Sequence, residues 1–411
     1  MIAFQPLLLP NGTTLSNRIA KAAMEENLAA ADQGPSDQLL RLYRAWAEGG
    51  AGLLLTGNVM IDRRAMTGPG GVALEDDGLL QRFRDWARIG RSRGAQFWMQ
   101  LNHPGRQMQA NLGQPTVAPS AVPLELGGLS KLFPVPRALS EEEIGELIQR
   151  FARAAELAEQ AGFSGVQIHA AHGYLLSQFL SPLSNRRTDA WGGPLENRAR
   201  LLLEVVKAVR ARVSPGFCVA VKLNSADFQR GGFDASDAKQ VVLWLNELDV
   251  DLVELSGGSY EAPAMQGDAR DGRTLAREAY FLEFAAELAE VARMPLMVTG
   301  GVRRLPVVER VLTSGVAMVG IATALALAPD LPARWYAGER EAGAELAPIR
   351  WKNKALASLA YMSSVKFQLR RLAGGLRPQP GVWPLRALLA EQLKTARRTR
   401  QYKRQMAGLG L

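Results

Sequence analysis

Short apolar runs alternate along this chain with longer stretches in which apolar residues recur every three or four positions. The short runs predict strands, and the longer stretches predict amphipathic helices. Eight strands are predicted, at residues 17–24, 52–60, 96–103, 165–171, 218–225, 251–257, 295–301 and 317–323. Helices are predicted at residues 38–49, 77–93, 141–161, 195–213, 236–248, 280–293 and 305–313. Strands that alternate with helices form a parallel sheet, and eight such strands close a (β/α)8 barrel.

A doubly wound open sheet is the structural rival of the barrel. It usually has fewer strands and often a glycine-rich phosphate loop after the first strand, and the sequence contains no GxGxxG or GxxxxGK[ST]. We therefore predict an α/β fold of the (β/α)8 TIM-barrel class over residues 1–340. Residues 104–139, rich in Pro and Gly, are predicted to form a pocket-covering insertion after strand 3. Residues 341–411 are predicted to form a basic, mostly helical C-terminal extension.

Within the strands, polar and apolar side chains alternate between two faces. In strands 3 to 6 the polar face carries Gln100, His169, Lys222, Asn224 and Glu254. We expect the apolar faces to pack under the helices and these polar side chains to converge inside the barrel mouth. Burying them without partners would cost about 1–3 kcal/mol each, so the pattern predicts a bound polar ligand.

Composition narrows the class of protein. One cysteine among 411 residues, Cys218, excludes a disulfide framework, a four-cysteine zinc site and a cysteine-ligated iron–sulfur cluster within this chain. The net charge of +9 divides into +12 for residues 351–411 and −3 for the rest, so the basic character belongs to the extension. No targeting segment is evident, and the longest apolar stretch, residues 315–329, is too short for a membrane span. We expect a soluble, cytoplasmic protein.

Candidate chemistry gathers at the predicted carboxyl ends of the strands. His169, His172 and Tyr174 form a donor-rich group after strand 4. A zinc site would need carboxylate or cysteine partners at characteristic spacing, and there is no HExxH, so no metal is predicted. Lys222 suits either a Schiff-base nucleophile or a fixed cation that faces an anionic cofactor. Glycines after strands 7 and 8, among them Gly300, are placed where barrels often bind phosphate.

Residues 168–198, IHAAHGYLLSQFLSPLSNRRTDAWGGPLENR, resemble the signature of the old yellow enzyme family. Further segments in register with that family are residues 17–24, 100–106, 221–224 and 299–301. The resemblance covers roughly residues 5–340. It implies a (β/α)8 barrel that binds FMN and uses NADH or NADPH as reductant.

The resemblance also implies roles for individual residues. His169 and His172 would donate hydrogen bonds to a substrate carbonyl oxygen while hydride arrives from flavin N5 at the β-carbon. Tyr174 would protonate the α-carbon. The implied substrate is a small electrophile, foremost the C=C of an α,β-unsaturated carbonyl. The implied FMN-binding residues are Ala22, Ala23, Met24, Gly57, Gln100, His169, Lys222, Gly300, Gly301, Ala322 and Thr323.

Two positions depart from the family pattern. Glu25 stands where the family often has Thr or Cys, and we expect its carboxylate to lower the reduction potential of the flavin. Thr323 stands where many members have an arginine that meets the phosphate. The Thr323 hydroxyl with Arg303 or Arg304 is expected to substitute.

Two other functions remain open from the residues. One is a Schiff-base aldolase that uses Lys222. The other is an RNA-modifying flavin barrel that uses the basic extension, although such barrels rely on a catalytic loop cysteine and Cys218 begins a strand. Leucines interleaved with the basic residues indicate an amphipathic helix that packs on the barrel or on a second subunit. We therefore expect a small-molecule substrate, no nucleic-acid partner, and a possible homo-oligomer formed through the extension.

Overall fold

Eight parallel strands form a closed barrel in the computed structural model, which describes residues 1–262, 279 and 281–411. The strands are β1 (Ile19–Lys21), β2 (Leu53–Met60), β3 (Gln96–Asn102), β4 (Gly165–Ala170), β5 (Cys218–Asn224), β6 (Leu252–Ser256), β7 (Leu296–Thr299) and β8 (Met318–Ile321). Closure comes from the pairing of β8 with β1, in which Val319 lies opposite Ile19. The predicted (β/α)8 fold is confirmed.

Helices follow the strands around the barrel. They are α1 (Asp37–Ala47), α2 (Leu80–Gly90), α3 (Glu141–Gln160), α4 (Leu175–Leu180), α5 (Leu195–Arg212), α6 (Ala235–Leu245), α7 (Leu282–Ala289), α8 (Leu305–Thr313), α9 (Thr323–Leu327), α10 (Leu331–Tyr336), α11 (Lys354–Ala373) and α12 (Pro384–Gly408). The start of the helix predicted at residues 280–293 falls on Tyr280, outside the described residues. Among the residues that are described, no helix combines the length and apolar character that a membrane crossing needs.

The barrel strands separate two apolar cores. Outward-facing side chains such as Met99 and Ile168 pack against the helices, as strand alternation predicted. Inward-facing side chains, among them Trp98, Cys218 and Leu252, fill the lower part of the barrel. Burial raises the pKa of the Cys218 thiol to about 11, which leaves little of the thiolate that a nucleophilic cysteine needs.

The C-terminal extension packs on the barrel of its own chain. The Arg41 guanidinium on α1 donates to the Ala373 carbonyl at 2.8 Å. The Tyr402 hydroxyl on α12 donates to the carbonyls of Arg63 and Arg64 at 3.2 and 3.0 Å. Tyr402 and the neighbouring Met406 are buried in a small apolar cluster that follows β2 and β3. The extension is therefore fixed above the carboxyl ends of the strands.

Candidate active site

A cavity of about 870 Å³ opens at the carboxyl ends of the strands. Strand-end residues form its floor, and the insertion at residues 104–139 contributes Leu126, Leu129 and Phe133 to its wall. Helices α11 and α12 contribute a further wall. The volume lies within the range of about 300–1,000 Å³ that small-molecule and cofactor sites occupy.

A chain of hydrogen bonds crosses the cavity floor. Gln100 Nε2 donates to Gln167 Oε1 at 2.7 Å, and Gln167 Nε2 donates to Glu254 Oε2 at 2.7 Å. Lys222 Nζ donates to Glu254 Oε1 at 2.8 Å. These side chains come from β3, β4, β6 and β5 and are all buried. This series of hydrogen bonds fixes Gln100 and Lys222 at the cavity. It holds the Lys222 ammonium in an ion pair rather than leaving a free amine for a Schiff base.

His169 lies at the end of β4 as a neutral imidazole. Burial, reinforced by the neighbouring His172 and Lys222, holds its pKa well below the usual value. Its Nδ1 accepts a hydrogen bond from the Ala171 amide at 3.2 Å. An acceptor nitrogen carries no proton, so the proton is assigned to Nε2. His169 is thus a neutral donor at the cavity.

His172 is held in a left-handed backbone conformation, with φ of 60°. Its amide donates to Asn224 Oδ1 at 3.0 Å, and its carbonyl accepts from Gln107 Nε2 at 3.0 Å. Its ring Nε2 lies 2.8 Å from the Ser256 hydroxyl. A non-glycine residue in this region costs about 1–3 kcal/mol and persists where its surroundings over-determine it. The turn therefore sets the His172 ring beside His169, with ring centroids 5.0 Å apart.

Tyr174 completes the group at the mouth. Its ring lies edge-on to His169, with centroids 4.9 Å apart. Its hydroxyl is 3.3 Å from the Tyr260 hydroxyl and accepts from Asn58 Nδ2 at 3.5 Å. Burial, with Tyr260 and Glu25 nearby, raises the pKa of Tyr174 well above its ordinary value. The phenol therefore keeps its proton at neutral pH.

The turns after β7 and β8 form a glycine-lined corner of the cavity. Gly300 and Gly301 have φ of 147° and 71°, conformations that side-chain-bearing residues rarely adopt. A Cβ on Gly320 would overlap the Thr299 hydroxyl, and that buried hydroxyl has no hydrogen-bond partner in the described part of the chain. The predicted residues Ala322 and Thr323 line the same corner. An unsatisfied donor beside open backbone suits a phosphate.

The segment after β1 forms another wall and departs in part from expectation. Ala23, Met24, Glu25 and Glu26 line the cavity, whereas Ala22 and Gly57 do not. Ala22 is fully buried and its amide continues the barrel pairing by donating to the Ile321 carbonyl at 2.9 Å.

Gly57 lies in an irregular stretch of β2, and its amide donates to Glu26 Oε1 at 3.1 Å. A Cβ there would overlap the Met24 carbonyl and the Glu26 carboxylate. Gly57 therefore supports the cavity wall from behind.

The two sequence departures have defined surroundings. Glu25 accepts a hydrogen bond from the Thr67 hydroxyl, and Lys366 on α11 lies 4.0 Å from its other oxygen. Arg303 lines the cavity and forms an ion pair with Glu345 at 2.7 Å. Arg304 is the N-cap residue that precedes α8, and it is not among the lining residues.

Several residues that line the cavity were not identified from the sequence. Strand alternation places Ser256 on the same face as Glu254, which was a usable signal. Tyr260 follows β6 in a loop and belongs to no motif. Lysines and arginines on α11 and α12 also line the cavity. Within the described ranges, no group of three or more His, Cys, Asp or Glu side chains is arranged to hold a metal ion.

Comparison with known proteins places this barrel in a family. The sequence model of the NADH:flavin oxidoreductase / NADH oxidase family matches residues 3–341. The chain belongs to the NADH:flavin oxidoreductase / NADH oxidase family. The predicted resemblance to old yellow enzymes is thereby confirmed, as is the predicted class of oxidoreductase with FMN as cofactor and NADH or NADPH as reductant.

Two fungal members of this family are among its similar relatives. An NADH-dependent flavin oxidoreductase of Neonectria sp. is 40% identical over 353 residues, which is 80% of this chain and 46% of the relative. Its counterpart in Hypocrea jecorina is 39% identical over 349 residues, covering 80% of this chain and 87% of the relative. The chain thus spans less than half of one curated relative and most of the other.

Solved structures of the family share the fold. The old yellow enzyme homologue of Zymomonas mobilis has a TM-score of 0.70 and 26% identity, covering 84% of this chain and 94% of the homologue. A complex of morphinone reductase with tetrahydroNAD has a TM-score of 0.68 and 25% identity, covering 84% of this chain and 93% of morphinone reductase.

The donor set of the cavity fits FMN, the cofactor of the NADH:flavin oxidoreductase family. Lys222 and Gln100 supply a cation and an amide at the floor. The Thr299 hydroxyl supplies an unsatisfied donor at the corner, where Gly300 and Gly301 leave the backbone uncovered by side chains. Polar groups at these two places in the cavity match a molecule with a polar ring edge and a phosphate.

Proposed function

We propose that this flavin oxidoreductase reduces the C=C bond of an α,β-unsaturated carbonyl compound with NADH or NADPH. The observation that carries this proposal is the pairing of a neutral, Nε2-protonated His169 with a protonated Tyr174 at one cavity mouth. Reduction of an activated alkene needs one donor for the carbonyl oxygen and one acid for the α-carbon. The two residues supply both.

FMN would be held by residues at three places. Gln100 and Lys222 would bind the polar edge of its ring, and Ala23 and Met24 would lie against the ring system. Gly300, Gly301, Ala322 and Thr323 would hold its phosphate. When bound, FMN accepts hydride from the nicotinamide and supplies it to the substrate.

The residues of this chain would act on the substrate as donors. His169 Nε2–H would hold the carbonyl oxygen, with His172 beside it, and so draw electron density away from the β-carbon. The Tyr174 hydroxyl would give its proton to the α-carbon and regain one afterwards. The raised pKa of Tyr174 keeps that proton in place until a strongly basic carbon is beside it.

The names of two relatives and the ligand of a similar structure support the nicotinamide part of the proposal. Two fungal relatives are named NADH-dependent flavin oxidoreductases, and the morphinone reductase structure contains tetrahydroNAD. The nicotinamide and the enone would bind alternately in the same cavity, beneath residues of the 104–139 insertion.

The substitution Tyr174→Phe tests the role of the acid. Anaerobic stopped-flow absorbance should show flavin reduction by NADH or NADPH retained, and reoxidation by 2-cyclohexenone slowed about 10²–10⁴-fold, the usual contribution of a general acid. Reoxidation by a quinone should persist, because a quinone needs no proton on carbon. Tyr336→Phe, at a residue 73% exposed, is the matched control. Equal enone rates in wild type and Tyr174→Phe would remove Tyr174 as the acid.

A further inference from the structure

Four basic side chains of the C-terminal extension line the cavity. Lys366 and Arg370 lie four residues apart on α11, and Lys394 and Arg398 lie four residues apart on α12. Residues four apart share one face of a helix. The two helices therefore present these four cations, the extension cluster, to the same cavity. Such clustering is not explained by the reduction of a neutral enone.

Acidic partners satisfy only part of the extension cluster. Glu391 accepts from Arg370 and lies 3.7 Å from Lys366. Lys366 also donates to Asn27 Oδ1 at 2.6 Å. Lys394 and Arg398 form no ion pair with any residue that the structure describes. Among the described residues, the Glu391 carboxylate therefore pairs with Arg370 and Lys366 only, and Glu25 lies 4.0 Å from Lys366.

Two guanidinium nitrogens in the extension cluster lack hydrogen-bond partners. Arg370 Nη2 and Arg398 Nη1 are buried, and neither bonds to any group in the described ranges. A buried, charged donor without a partner is costly. Burial and the nearby arginines also lower the pKa of Lys394 to about 7, which shows how poorly this charge is compensated. An anion seated between α11 and α12 would compensate these charges.

The extension cluster is separate from the glycine corner proposed for the FMN phosphate. Lys366 contacts Asn27, which follows β1, and Arg398 lies against Gly70, which follows β2. The glycine corner follows β7 and β8. The cluster therefore faces a part of the cavity wall that FMN phosphate binding does not explain.

We propose that the extension cluster binds a phosphate or carboxylate carried by a molecule that enters the active-site cavity. Guanidinium groups pair with the oxygens of either anion through two N–H donors. The anion belongs either to the reductant, as the additional phosphate of NADPH, or to the substrate, as a carboxylate remote from its reacting bond. This proposal rests on the proposed function, because it places a ligand in the same cavity.

The experiment compares ligand pairs that differ by one anionic group, using FMN-loaded protein. One pair is NADPH and NADH. The other is 4-(3-oxobut-1-enyl)benzoate and its methyl ester, two enones with the same reacting bond. Apparent dissociation constants come from anaerobic stopped-flow traces of flavin absorbance. The variants are Arg398→Gln and Lys394→Gln, and the matched control is Arg397→Gln, an exposed position on the same helix.

We expect wild type to bind the member of one pair that carries the additional anionic group at least tenfold more tightly than the member that lacks it. That ratio should fall toward one in Arg398→Gln and Lys394→Gln and persist in Arg397→Gln. A ratio in the nucleotide pair assigns the site to the reductant, and a ratio in the enone pair assigns it to the substrate. Thermal unfolding and the FMN absorbance of each variant establish that the fold and cofactor are retained.

Three outcomes would overturn the proposal. The first is equal affinity within both pairs in wild type, and the second is a ratio that survives both cluster variants. The third is loss of FMN from the cluster variants, which would assign these cations to the cofactor phosphate. Flavin reduction by NADH reports on the proposed function separately, so its failure would not be mistaken for failure of the anion site.

Discussion

The buried ion pair on the cavity floor gives a sharp prediction about stability. Glu254 is fully buried and accepts from both Lys222 and Gln167, at 2.8 and 2.7 Å. In Glu254→Gln the side chain has one acceptor oxygen in place of two, and its charge is gone. One of the two donors then loses its partner, and the Lys222 ammonium is left buried without a counter-charge.

The size of the effect follows from burial. Removing one partner of a buried ion pair costs about 3–5 kcal/mol. At an unfolding entropy of about 2.1 cal/mol/K per residue, this 411-residue chain should lose about 3–6 °C in Tm. The matched control is Glu247→Gln, whose carboxylate pairs with Arg293 at 2.7 Å with both side chains largely exposed. Exposed pairs contribute about 0–1 kcal/mol, so its Tm should stay within about 1 °C.

The assay is thermal unfolding followed by circular dichroism, with both variants saturated with FMN at the same concentration. The two substitutions are chemically identical and the two ion-pair distances nearly equal, so burial is what differs. Equal Tm values for Glu254→Gln and Glu247→Gln would show that burial does not set the contribution of this ion pair to stability. Reoxidation by an enone should also slow in Glu254→Gln, because the Gln100–Gln167 chain loses its anchor.

Three further predictions concern the cavity wall, the flavin edge and the histidines. Gly57→Ala should destabilise the protein by more than about 2 kcal/mol and weaken FMN binding, since the new methyl group overlaps the Met24 carbonyl. Its control is Gly145→Ala, in open space on α3, which should instead stabilise the protein by about 0.5–1 kcal/mol. Denaturant titration measures the free energy of unfolding of both variants. Glu25→Thr should raise the flavin reduction potential by on the order of 30 mV, equivalent to about 1.4 kcal/mol for two electrons, and an unchanged potential in a redox titration would contradict the role given to this carboxylate. His103, which directly follows β3, is buried, and burial lowers its pKa to about 4. Below pH 6.5 the unfolded chain therefore takes up a proton at His103 while the native protein does not. Stability should fall by up to about 1.4 kcal/mol per pH unit as the pH drops from 6.5 toward 4. His103→Asn should reduce this slope in urea titrations between pH 6.5 and 4.5, and an unchanged slope would contradict the buried neutral state.

Local pattern was sufficient to predict most of the barrel. Strand 3 was predicted at residues 96–103 and forms at Gln96–Asn102, because alternating side chains pack on both of its faces. Strand 1 was predicted at residues 17–24 but ends at Lys21. After Ala22, whose amide still pairs with the Ile321 carbonyl, the chain leaves the barrel, and Glu26 accepts from the Gly57 amide in β2. This contact joins distant segments, which strand alternation does not encode.

The candidate-site residues also divide into those that local sequence predicts and those that depend on contacts between distant segments. His169, His172 and Tyr174 lie within six residues of one another, so a single segment was enough to find them. Tyr260 was missed because its contact with Tyr174 joins residues from two different loops.

The extension cluster was missed for a similar reason. Its basic residues were visible as a net charge of +12 over residues 351–411. Which of them face the cavity depends on how α11 and α12 pack over α1 and the segments that follow β1 and β2, and that packing is a long-range property. Spacing of four residues between Lys366 and Arg370 was the available local signal.

The position of a deuterium label tests the central claim most directly. The FMN-loaded protein, reduced anaerobically with NADH or NADPH that carries deuterium at the transferable C4 position, is mixed with 2-cyclohexenone, and the product is examined by mass spectrometry and NMR. We expect cyclohexanone with one deuterium at the β-carbon and a solvent-derived hydrogen at the α-carbon. A flavin that is reduced but returns no label to this or any other enone would contradict it.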